Sequence, residues 1–502
     1  MNTGQPPMRA VVVGRDIDLW LSVTAIRRAL GPAGVNVIAV ELPTRLRPSD
    51  VTATLPPLEA LHAKLGITES ALLRATAGSF SLGQNFIAGT REGGLPRFFH
   101  AWGAYGAPID ESAFFPCWLK ATRHGLKLSF EDFCLSAVAA KNGRMLLPDE
   151  ATSVFGRTDY AYHLNTMAYA SYLKSLAATL GVEQFRAQGT LVERNGAGSI
   201  AALLVDGTVR IEGDLFVDAT GPEALLIGRS LDVPADSWRQ HFSVDRVLSA
   251  RAPAFTKTPA FAEIRLTELG WTALHPNQVN TRILQAYSSE LLSDDDALEA
   301  ASTGSAANLT DVSFHTVTPY RRSRVWEGNC VALGGSACVF DPLHDVAIHS
   351  LQLGLVHLLS LFPVNGQFAV ERTEYNRLMH SCYERLRDFQ CAFYALAPYA
   401  GEFWRQARSQ SLPEALSHKI ATFRARGLIA PMEDETFLAD SWQAVFTGLG
   451  VTPESWPPGV DRIPLNRFRE EFHRAMDFIR RKVAEQPTHD SYLDSLGRSS
   501  AA

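Results

Sequence analysis

The chain has 502 residues, of which 46% are hydrophobic, 20% charged and 10% aromatic. This composition supplies apolar surface for a large core and excludes a disordered or collagen-like chain, so we expect a soluble globular protein. Its 47 basic and 53 acidic side chains give a net charge of −6 with histidine neutral. A protein with this charge lacks the positive field that attracts a phosphate backbone, which argues against a nucleic-acid partner.

Cysteine spacing and hydropathy indicate the compartment. The six cysteines are scattered, without a C-x-x-C pair or a disulfide-dense pattern, and we interpret them as reduced core residues. No apolar run approaches the roughly 18 residues that span a bilayer. Residues 1–5 lack the basic start of a secretion signal. We therefore predict a cytoplasmic protein without a membrane span, and we predict no metal ligands.

The N-terminal segment predicts a nucleotide-binding βαβ unit. Residues 8–14 form a short apolar run that closes on Gly14, and residues 17–30 carry apolar side chains at helical spacing. Residues 35–41 form a second buried strand, and its last residue, Glu41, lies 27 residues after Gly14. A βαβ unit places the carboxylate that binds ribose at about this distance.

Later segments predict further sheet. Residues 190–195, 199–206 and 208–212 are short strand patterns separated by Asn-Gly and Asp-Gly turns, which is typical of a β-meander. They lead into residues 214–221, a strand that ends in an acid, small residues and glycine. This pattern predicts that the chain returns to a parallel sheet.

Three further segments predict a core layer and helices. Residues 98–135 are unusually aromatic, and we interpret them as a core layer, with a pocket for a planar ligand as the alternative. An apolar stripe over residues 373–396 predicts a helix, and the pattern stays helical to the C-terminus. The acidic run at residues 294–296, after Ser293, is interpreted as the first turn of a helix, where the macrodipole favours negative charge.

Taken in order, several segments resemble the flavin-dependent tryptophan halogenase family, within the wider flavin monooxygenase fold. Spread over residues 8–395, they include Pro96-Arg-Phe-Phe-His100, Tyr160-Ala-Tyr-His163-Leu-Asn, residues 216–221, Ala286-Tyr-Ser-Ser289, residues 326–335, Phe340-Asp-Pro-Leu343, Tyr375-Asn and Arg387-Asp-Phe389. The resemblance implies an α/β, FAD/NAD(P)-binding Rossmann-like flavin monooxygenase fold with an interleaved aromatic-rich and C-terminal helical substrate module.

The resemblance also implies a discontinuous division of the chain. A nucleotide-binding-like module takes residues 1–97, 150–230 and 310–370. A substrate module takes residues 98–149, 231–309 and 371–502. Because the two alternate along the sequence, we expect no clean domain boundary.

In that family, as the resemblance implies, reduced FAD and oxygen produce hypohalous acid that reaches an indole through a tunnel. A lysine in a T-F-K-L-G-like segment holds the halogen, and Ser81 stands at its position in Ser79-Phe-Ser81-Leu-Gly83. A hydroxyl supplies neither the charge nor the amine of lysine. In the E-P-L-E-S segment near the substrate, the second glutamate corresponds to His344 and the serine to Asp345. His344 is then a candidate base, or alternatively a hydrogen-bonded structural residue.

Two further family segments are altered. The W-x-W-x-I-P signature aligns with residues 271–276, where only Trp271 and Pro276 remain. We interpret Trp271 as a core or lid residue. The G-x-G-E segment that moves near the flavin corresponds to residues 49–52, without its glycines and its acid.

The resemblance places cofactor contacts at Gly14, Asp16, Glu41, Asp218, Gly221, Gly334 and Gly335. Of the G-x-G-x-x-G glycines only Gly14 remains, because Asp16 and Leu19 occupy the other two positions. A carboxylate about 4 Å from a phosphate repels it by roughly 4 kcal/mol at an effective dielectric near 20, about a thousandfold in affinity. We therefore expect FAD binding to be weak or lost. The alternative is that the loop has moved and Arg15 contacts the phosphate.

Three hypotheses for the function remain open. In the first, which the altered motifs favour, the chain has lost ordinary halogenation and tight FAD binding and serves as a ligand-binding or partner subunit beside a flavoprotein. In the second, it is a working FAD-dependent monooxygenase or halogenase that receives flavin from a reductase. Its substrate is then an indole, pyrrole or phenol, and His344 and Asp345 handle protons. In the third, a flavin-free enzyme uses the same pocket.

Overall fold

A computed structural model gives the arrangement of residues 8–88, 97–147, 159–363 and 368–497. The strands in these ranges are β1 (Arg9–Gly14), β2 (Asn36–Glu41), β3 (Val51–Ala53), β4 (Ser79–Ser81), β5 (Gly83–Ala88), β6 (Phe98–Ala101), β7 (Ala161–Asn165), β8 (Glu183–Arg186), β9 (Thr190–Arg194), β10 (Ile200–Val205), β11 (Val209–Glu212), β12 (Leu215–Ala219), β13 (Ala235–Ser237), β14 (Arg246–Pro253), β15 (Ala262–Thr267), β16 (Gly270–Pro276), β17 (Asn280–Tyr287), β18 (Thr310–Thr316), β19 (Tyr320–Arg322), β20 (Trp326–Glu327), β21 (Cys330–Ala332) and β22 (Cys338–Val339). The α-helices are α1 (Asp16–Leu30), α2 (Pro57–Leu65), α3 (Glu69–Thr76), α4 (Phe114–Arg123), α5 (Leu135–Lys141), α6 (Thr166–Thr179), α7 (Asp294–Ser305), α8 (Ala347–Ser360), α9 (Ala369–Leu396), α10 (Glu402–Ser409), α11 (Glu414–Arg426), α12 (Ala439–Gly448), α13 (Leu465–Glu485) and α14 (His489–Ser495).

The nucleotide-type sheet is parallel at its centre. Its order is β20-β21-β12-β1-β2-β8, and β1 pairs in parallel with both β2 and β12. Strands β1, β2 and β12 are nearly continuous runs of buried apolar residues, as expected for strands covered on both faces. The predicted βαβ unit and the predicted return strand are both confirmed.

Antiparallel sheets flank this centre. The predicted meander is confirmed as a separate sheet in the order β11-β10-β9. A larger sheet has the order β18-β14-β17-β16-β15-β5-β6, in which only the β15–β5 pair is parallel. A small sheet has the order β3-β7-β4, and Ser81 lies at the end of β4.

The aromatic segment is a core layer, as predicted. All nine of its large rings are buried, namely Phe98, Phe99, Trp102, Tyr105, Phe114, Phe115, Trp118, Phe130 and Phe133. The predicted C-terminal helical layer is confirmed by α9 to α14. Helix α7 begins after Ser293, whose Oγ accepts a hydrogen bond of 3.2 Å from the Asp296 amide, so the acidic first turn is also confirmed.

The main hydrophobic core joins the predicted modules. One cluster of buried side chains includes residues from β1 and β12 and from α9 to α14. The proposed module limits stay a prediction. The six cysteines are buried and unpaired, and no helix in the described ranges is long and apolar enough to cross a membrane.

The C-terminal end of the chain closes against the N-terminal half. In α14, His489 accepts a hydrogen bond of 3.2 Å from the Phe80 amide of β4 through Nε2. Its Nδ1 donates to the Thr258 carbonyl at 2.8 Å. The last helix therefore holds the strand that ends in Ser81.

Candidate flavin edge and buried histidine network

The predicted cofactor positions lie at the carboxyl edge of the parallel sheet, which we call the flavin edge. In register, Gly14 pairs with Glu41 on one side and Ala219 on the other. A Cβ atom at Gly14 would lie 2.2 Å from the Ala219 carbonyl oxygen, so only glycine fits here. Parallel α/β sheets bind ligands at this edge, in the crevice where the connections from adjacent strands leave in opposite directions.

Asp16 keeps the backbone shape of the glycine that it replaces. Its φ is +57°, in the left-handed region that favours glycine. Its carboxylate accepts hydrogen bonds from the Thr44 hydroxyl at 2.5 Å and from the Arg45 amide at 3.2 Å. At the third glycine position, Leu19 is fully buried in the core. The turn is thus preserved by side-chain contacts where the family uses glycine.

Asp18 is a cofactor-edge residue that the sequence analysis did not single out. Its Oδ2 accepts a hydrogen bond of 3.3 Å from the Gly335 amide. A Cβ atom at Gly334 would lie 2.3 Å from the same oxygen, which explains the glycine there. Burial raises the pKa of Asp18 to about 6 and outweighs the lowering by the Gly335 amide, while the charge of Asp16 raises it further. The Asp18 carboxylate therefore takes up the Gly335 amide, a donor that could otherwise bind an anion.

Cations at this edge are already paired with acids. Arg15 lies 3.1 Å from the Glu223 carboxylate, and Arg45 pairs with the same carboxylate. Glu41, the predicted ribose ligand, accepts bonds of 2.7 and 2.6 Å from Lys174 Nζ. The alternative in which Arg15 meets the phosphate would require it to leave or share Glu223.

A cavity of about 270 Å³ opens at the edge. Its lining includes Arg15, Asp16, Asp18, Arg45, Thr52, Thr166, Thr220, Gly221, Pro222 and Ile348. Gly221 has a φ of +79° and open space where its Cβ would stand. By contrast, Gly335 packs tightly, because its Cβ would lie 3.0 Å from Pro222 Cδ.

Asp218 is occupied by the protein itself. Its buried carboxylate accepts bonds from the Thr220 hydroxyl at 2.7 Å and the Ser336 hydroxyl at 2.9 Å. It also accepts bonds of 2.8 and 2.9 Å from the Leu226 and Ile227 amides. These contacts hold the turn of helix that follows β12, so the observed role of this acid is structural.

Ser81, at the lysine position, is buried at the end of β4. Its Oγ donates a hydrogen bond of 3.1 Å to the Gly83 carbonyl. Three residues further on, Gln84 contacts both His344 and Asp345. The structure therefore brings the Ser81 segment together with the other two predicted catalytic positions.

His344 and Asp345 lie in a buried hydrogen-bond network. His344 Nδ1 is 2.8 Å from Gln84 Oε1, and Gln84 Nε2 is 3.0 Å from Asp345 Oδ2. His275 Nε2 lies 3.1 Å from the same carboxylate oxygen. The φ values of His344 and Asp345 are +67° and +54°, two consecutive left-handed residues that are not glycine. Each costs of order 1 kcal/mol, which the surrounding contacts must offset.

The two central groups differ in charge. Burial alone would raise the pKa of Asp345, yet this pKa is lowered because the charge and hydrogen bond of His275, together with His163 and Arg282, outweigh burial. Burial lowers the pKa of His344 to about 3. Near neutral pH the network therefore contains an ionised Asp345 and a neutral His344 imidazole.

Aromatic rings surround His344. The centroid of its ring is 4.9 Å from that of Phe389, 5.7 Å from Phe86 and 5.9 Å from His100. Phe389 stacks on Phe437 with 3.8 Å between centroids. These rings enclose His344 in an apolar, aromatic setting.

A second buried carboxyl group supports the same loop. Tyr394 donates a hydrogen bond of 2.8 Å to Asp341 Oδ1, and Trp271 Nε1 donates one of 2.9 Å to the Tyr394 hydroxyl. Burial raises the pKa of Asp341 to about 7. Gln390 donates to the carbonyls of Asp341 and Leu343. Trp271 is thus a core residue, as one of the two interpretations predicted.

Known proteins resemble the chain along almost its whole length. The family model described as tryptophan halogenase matches residues 9–465. Tryptophan 6-halogenase ThaL of Streptomyces albogriseolus is 26% identical over 487 residues, which cover 90% of this chain and 91% of ThaL. Tryptophan 7-halogenase RebH of Lentzea aerocolonigenes is 25% identical over 499 residues, which cover 91% and 92% of the two chains.

Two solved structures share the fold. Xcc4156, a flavin-dependent halogenase from Xanthomonas campestris, matches with a TM-score of 0.93 at 30% identity, over 99% of this chain and 100% of that one. BrvH, a flavin-dependent halogenase from Brevundimonas sp. BAL3, matches with a TM-score of 0.92 at 28% identity, over 98% and 100%. These matches confirm the predicted fold, and with the family model they show that the chain belongs to the tryptophan halogenase family.

Proposed function

We propose that the protein is a flavin-dependent monooxygenase or halogenase that acts on an aromatic substrate and uses His344 and Asp345 for proton handling. The observation that carries this proposal is the buried network in which Gln84 and His275 hold Asp345 beside His344. It lies where the resemblance puts the substrate-side glutamate and serine. The relatives named above are described as halogenases, which supports a working enzyme better than the loss of function favoured by the altered motifs.

The flavin edge fits FAD in shape more than in charge. Gly221 leaves open space for close backbone approach, Gly14 allows β1 to pack tightly against Ala219, and Glu41 stands beside Gly14 at the ribose position. Against this, Asp16 and Asp18 put carboxylates at the N-terminus of α1, where a pyrophosphate is expected. We propose that FAD binds here weakly, and that Arg15 and Arg45 contact it by leaving or sharing Glu223. Reduced by a partner flavin reductase, bound FAD supplies the oxygen-activating chemistry of the family.

The protein's own groups then act on the aromatic substrate. A neutral His344 imidazole accepts a proton or hydrogen bond from the substrate, and the rings around it exclude water and orient an aromatic ring. The negative charge of Asp345 favours the imidazolium that forms when His344 takes a proton. Asp345 itself keeps its charge because His275, His163 and Arg282 lower its pKa.

A second candidate function keeps its own support. Ser81 carries no amine, and its hydroxyl is bonded to the Gly83 carbonyl. With the two carboxylates at the flavin edge, this favours a ligand-binding or partner subunit that works beside an active flavoprotein. Product formation distinguishes the two candidates directly.

The test supplies purified protein with FAD, a flavin reductase, NADH, oxygen and bromide, and offers indole, pyrrole and phenol separately. We expect an oxygenated or brominated product from at least one substrate by mass spectrometry, and about a hundredfold slower formation in His344→Gln. His349→Gln is the matched control, since His349 is a buried histidine that bonds Thr436 outside the network. Absence of any product would favour the partner subunit. Product without added flavin would favour a flavin-free enzyme.

A further inference from the structure

Only one assignment of donors and acceptors satisfies the hydrogen bonds that join Asp345, Gln84 and His344. The carboxylate of Asp345 only accepts, so the Gln84 group 3.0 Å from it is the amide NH₂. The Gln84 carbonyl oxygen then faces His344 Nδ1 at 2.8 Å and also only accepts. His344 Nδ1 must therefore carry the hydrogen, and the lone pair of the neutral ring is left at Nε2.

Asp345 is itself held in place by a third side chain. His275 donates from Nε2 at 3.1 Å to the oxygen that also receives Gln84. The ring of His275 packs against that of His163, with 5.6 Å between centroids. His163 is in turn bonded through Nδ1 to the Pro276 carbonyl at 3.0 Å. The carboxylate that orients Gln84 is thus fixed from the far side of the network.

The other nitrogen of His344 is left without a partner. Nε2 is buried and has no hydrogen-bond partner among the described residues. The rings nearest to His344 are those of Phe389, Phe86 and His100. A ligand that satisfies this lone pair must bring an N–H or O–H group.

We propose that Gln84 and Asp345 are positioning residues, anchored by His275, that hold His344 as its Nδ1–H tautomer. His344 Nε2 is thereby presented to an N–H or O–H group of the aromatic substrate. This inference rests on the proposed function, in which His344 contacts the substrate. It assigns roles to Gln84 and His275, which the sequence analysis did not treat as functional.

The tautomer is measured directly by long-range ¹H–¹⁵N NMR on the full chain labelled with ¹⁵N-histidine, with His344 assigned by its loss in His344→Gln. We expect a protonated Nδ1 and an unprotonated Nε2 in the unaltered protein. Gln84→Leu and Asp345→Ala both remove the orienting contact, so the Nε2–H tautomer should become the major form. Gln84→Glu should restore the Nδ1–H form, because a protonated glutamic acid can donate to Asp345 and accept from His344.

Asp341→Asn is the matched control, because Asp341 is a buried acid of the same loop whose contacts are Tyr394 and the Leu343 amide. It should leave the His344 tautomer unchanged. An Nε2–H tautomer in the unaltered protein overturns the inference, and so does an unchanged tautomer in folded Gln84→Leu and Asp345→Ala. The signal needs neither substrate nor turnover. A correct tautomer in a protein that forms no product therefore refutes the proposed function, and with it the contact between Nε2 and a substrate, but leaves the positioning roles of Gln84, Asp345 and His275 standing.

Discussion

The flavin edge and the buried network both carry acids where the family has uncharged residues, but they accommodate them differently. Asp16 is half-buried, and the Thr44 hydroxyl and the Arg45 amide bond it. The Asp345 side chain is 14% exposed and is bonded by His275 and Gln84. Water stabilises a solvent-accessible carboxylate, whereas a carboxylate removed from water is tolerated only when a partner charge or hydrogen-bond donor compensates it. We therefore expect Asp345 to depend more on its partners than Asp16 does.

The largest expected effect concerns tryptophan. Supplied with FAD, a reductase, NADH, oxygen and chloride or bromide, the protein should yield no halogenated tryptophan by mass spectrometry. Ser81 lacks the lysine charge, and His344 lacks the negative field of glutamate beside a cationic ring. Groups of this kind each contribute roughly 10² to 10³ in rate, though not additively.

RebH assayed in parallel serves as the positive control for that experiment. A reproducible halogen isotope pattern, abolished by His344→Ala, would contradict the prediction. It would establish a halogenase in which His344 has replaced the glutamate and no lysine is needed.

The next effect compares the two acids directly. Asp345→Ala leaves the His275 and Gln84 donors buried and unpaired, and should lower the free energy of unfolding by about 3 kcal/mol. Asp16→Ala should lower it by less than about 1 kcal/mol, because water can replace its contacts. Urea unfolding followed by fluorescence measures both. Equal losses would remove the distinction between the regions.

A third prediction uses Asp341, whose pKa is raised by burial to about 7. The folded state keeps this proton while the unfolded chain releases it near pH 4, so the group makes the protein less stable as pH rises from about 4 to about 7. Asp341→Asn removes this dependence. Its stability relative to the unaltered protein should rise by about 3 kcal/mol across that window in urea unfolding at several pH values. Parallel stability curves would show that Asp341 titrates normally.

A smaller effect is expected at the flavin edge. FAD should bind the unaltered protein with a Kd of about ten micromolar or weaker, and Asp16→Gly should bind it about tenfold more tightly. The gain is below the thousandfold of an unscreened pair, because Asp16 is half-buried and its charge is partly screened. Calorimetric titration with oxidised and reduced FAD measures the affinities.

Asp232→Gly is the matched control for this titration, since Asp232 also has a left-handed φ, +55°, but lies exposed elsewhere. Leu19→Gly is not combined with Asp16→Gly, because Leu19 is fully buried and its loss would open a cavity. Sub-micromolar FAD affinity in the unaltered protein would refute weak binding at this edge.

The smallest effect is a pH dependence of FAD affinity. Because the pKa of Asp18 is raised to about 6, this acid is ionised at pH 8 and increasingly protonated below pH 6. An incoming pyrophosphate favours the protonated form, so affinity should increase several-fold as pH falls from 8 to 6. In Asp18→Asn this part of the slope should vanish, and affinity at pH 8 should rise. An identical slope in the variant would mean that another group titrates.

Local patterns predicted most of the fold, and long-range contacts hid most of the site. The β1–α1–β2 unit and the β9–β11 meander follow from periodicity and turn residues within a few dozen positions. The His275–Asp345 pair joins residues 70 positions apart, and the Asp18–Gly335 contact joins residues 317 apart. The available signal was that His275 and Asp345 both stand in altered family segments. Nothing in the sequence showed that the two side chains are in contact.

Two long-range contacts determine when the fold can be completed during translation. They are the pairing of β1 with β12 and the contact of α14 with β4. Val12 pairs with Val217, so β1 waits with an open edge while the intervening chain is translated. The Phe80–His489 bond joins residues 409 positions apart and can form only when synthesis is almost over. Nascent chains therefore expose the edge of β1 until β12 is translated, a state prone to aggregation. Stop codons before α14 should release chains whose β4 lacks its last support, and chaperone capacity during expression should govern the yield of intact protein.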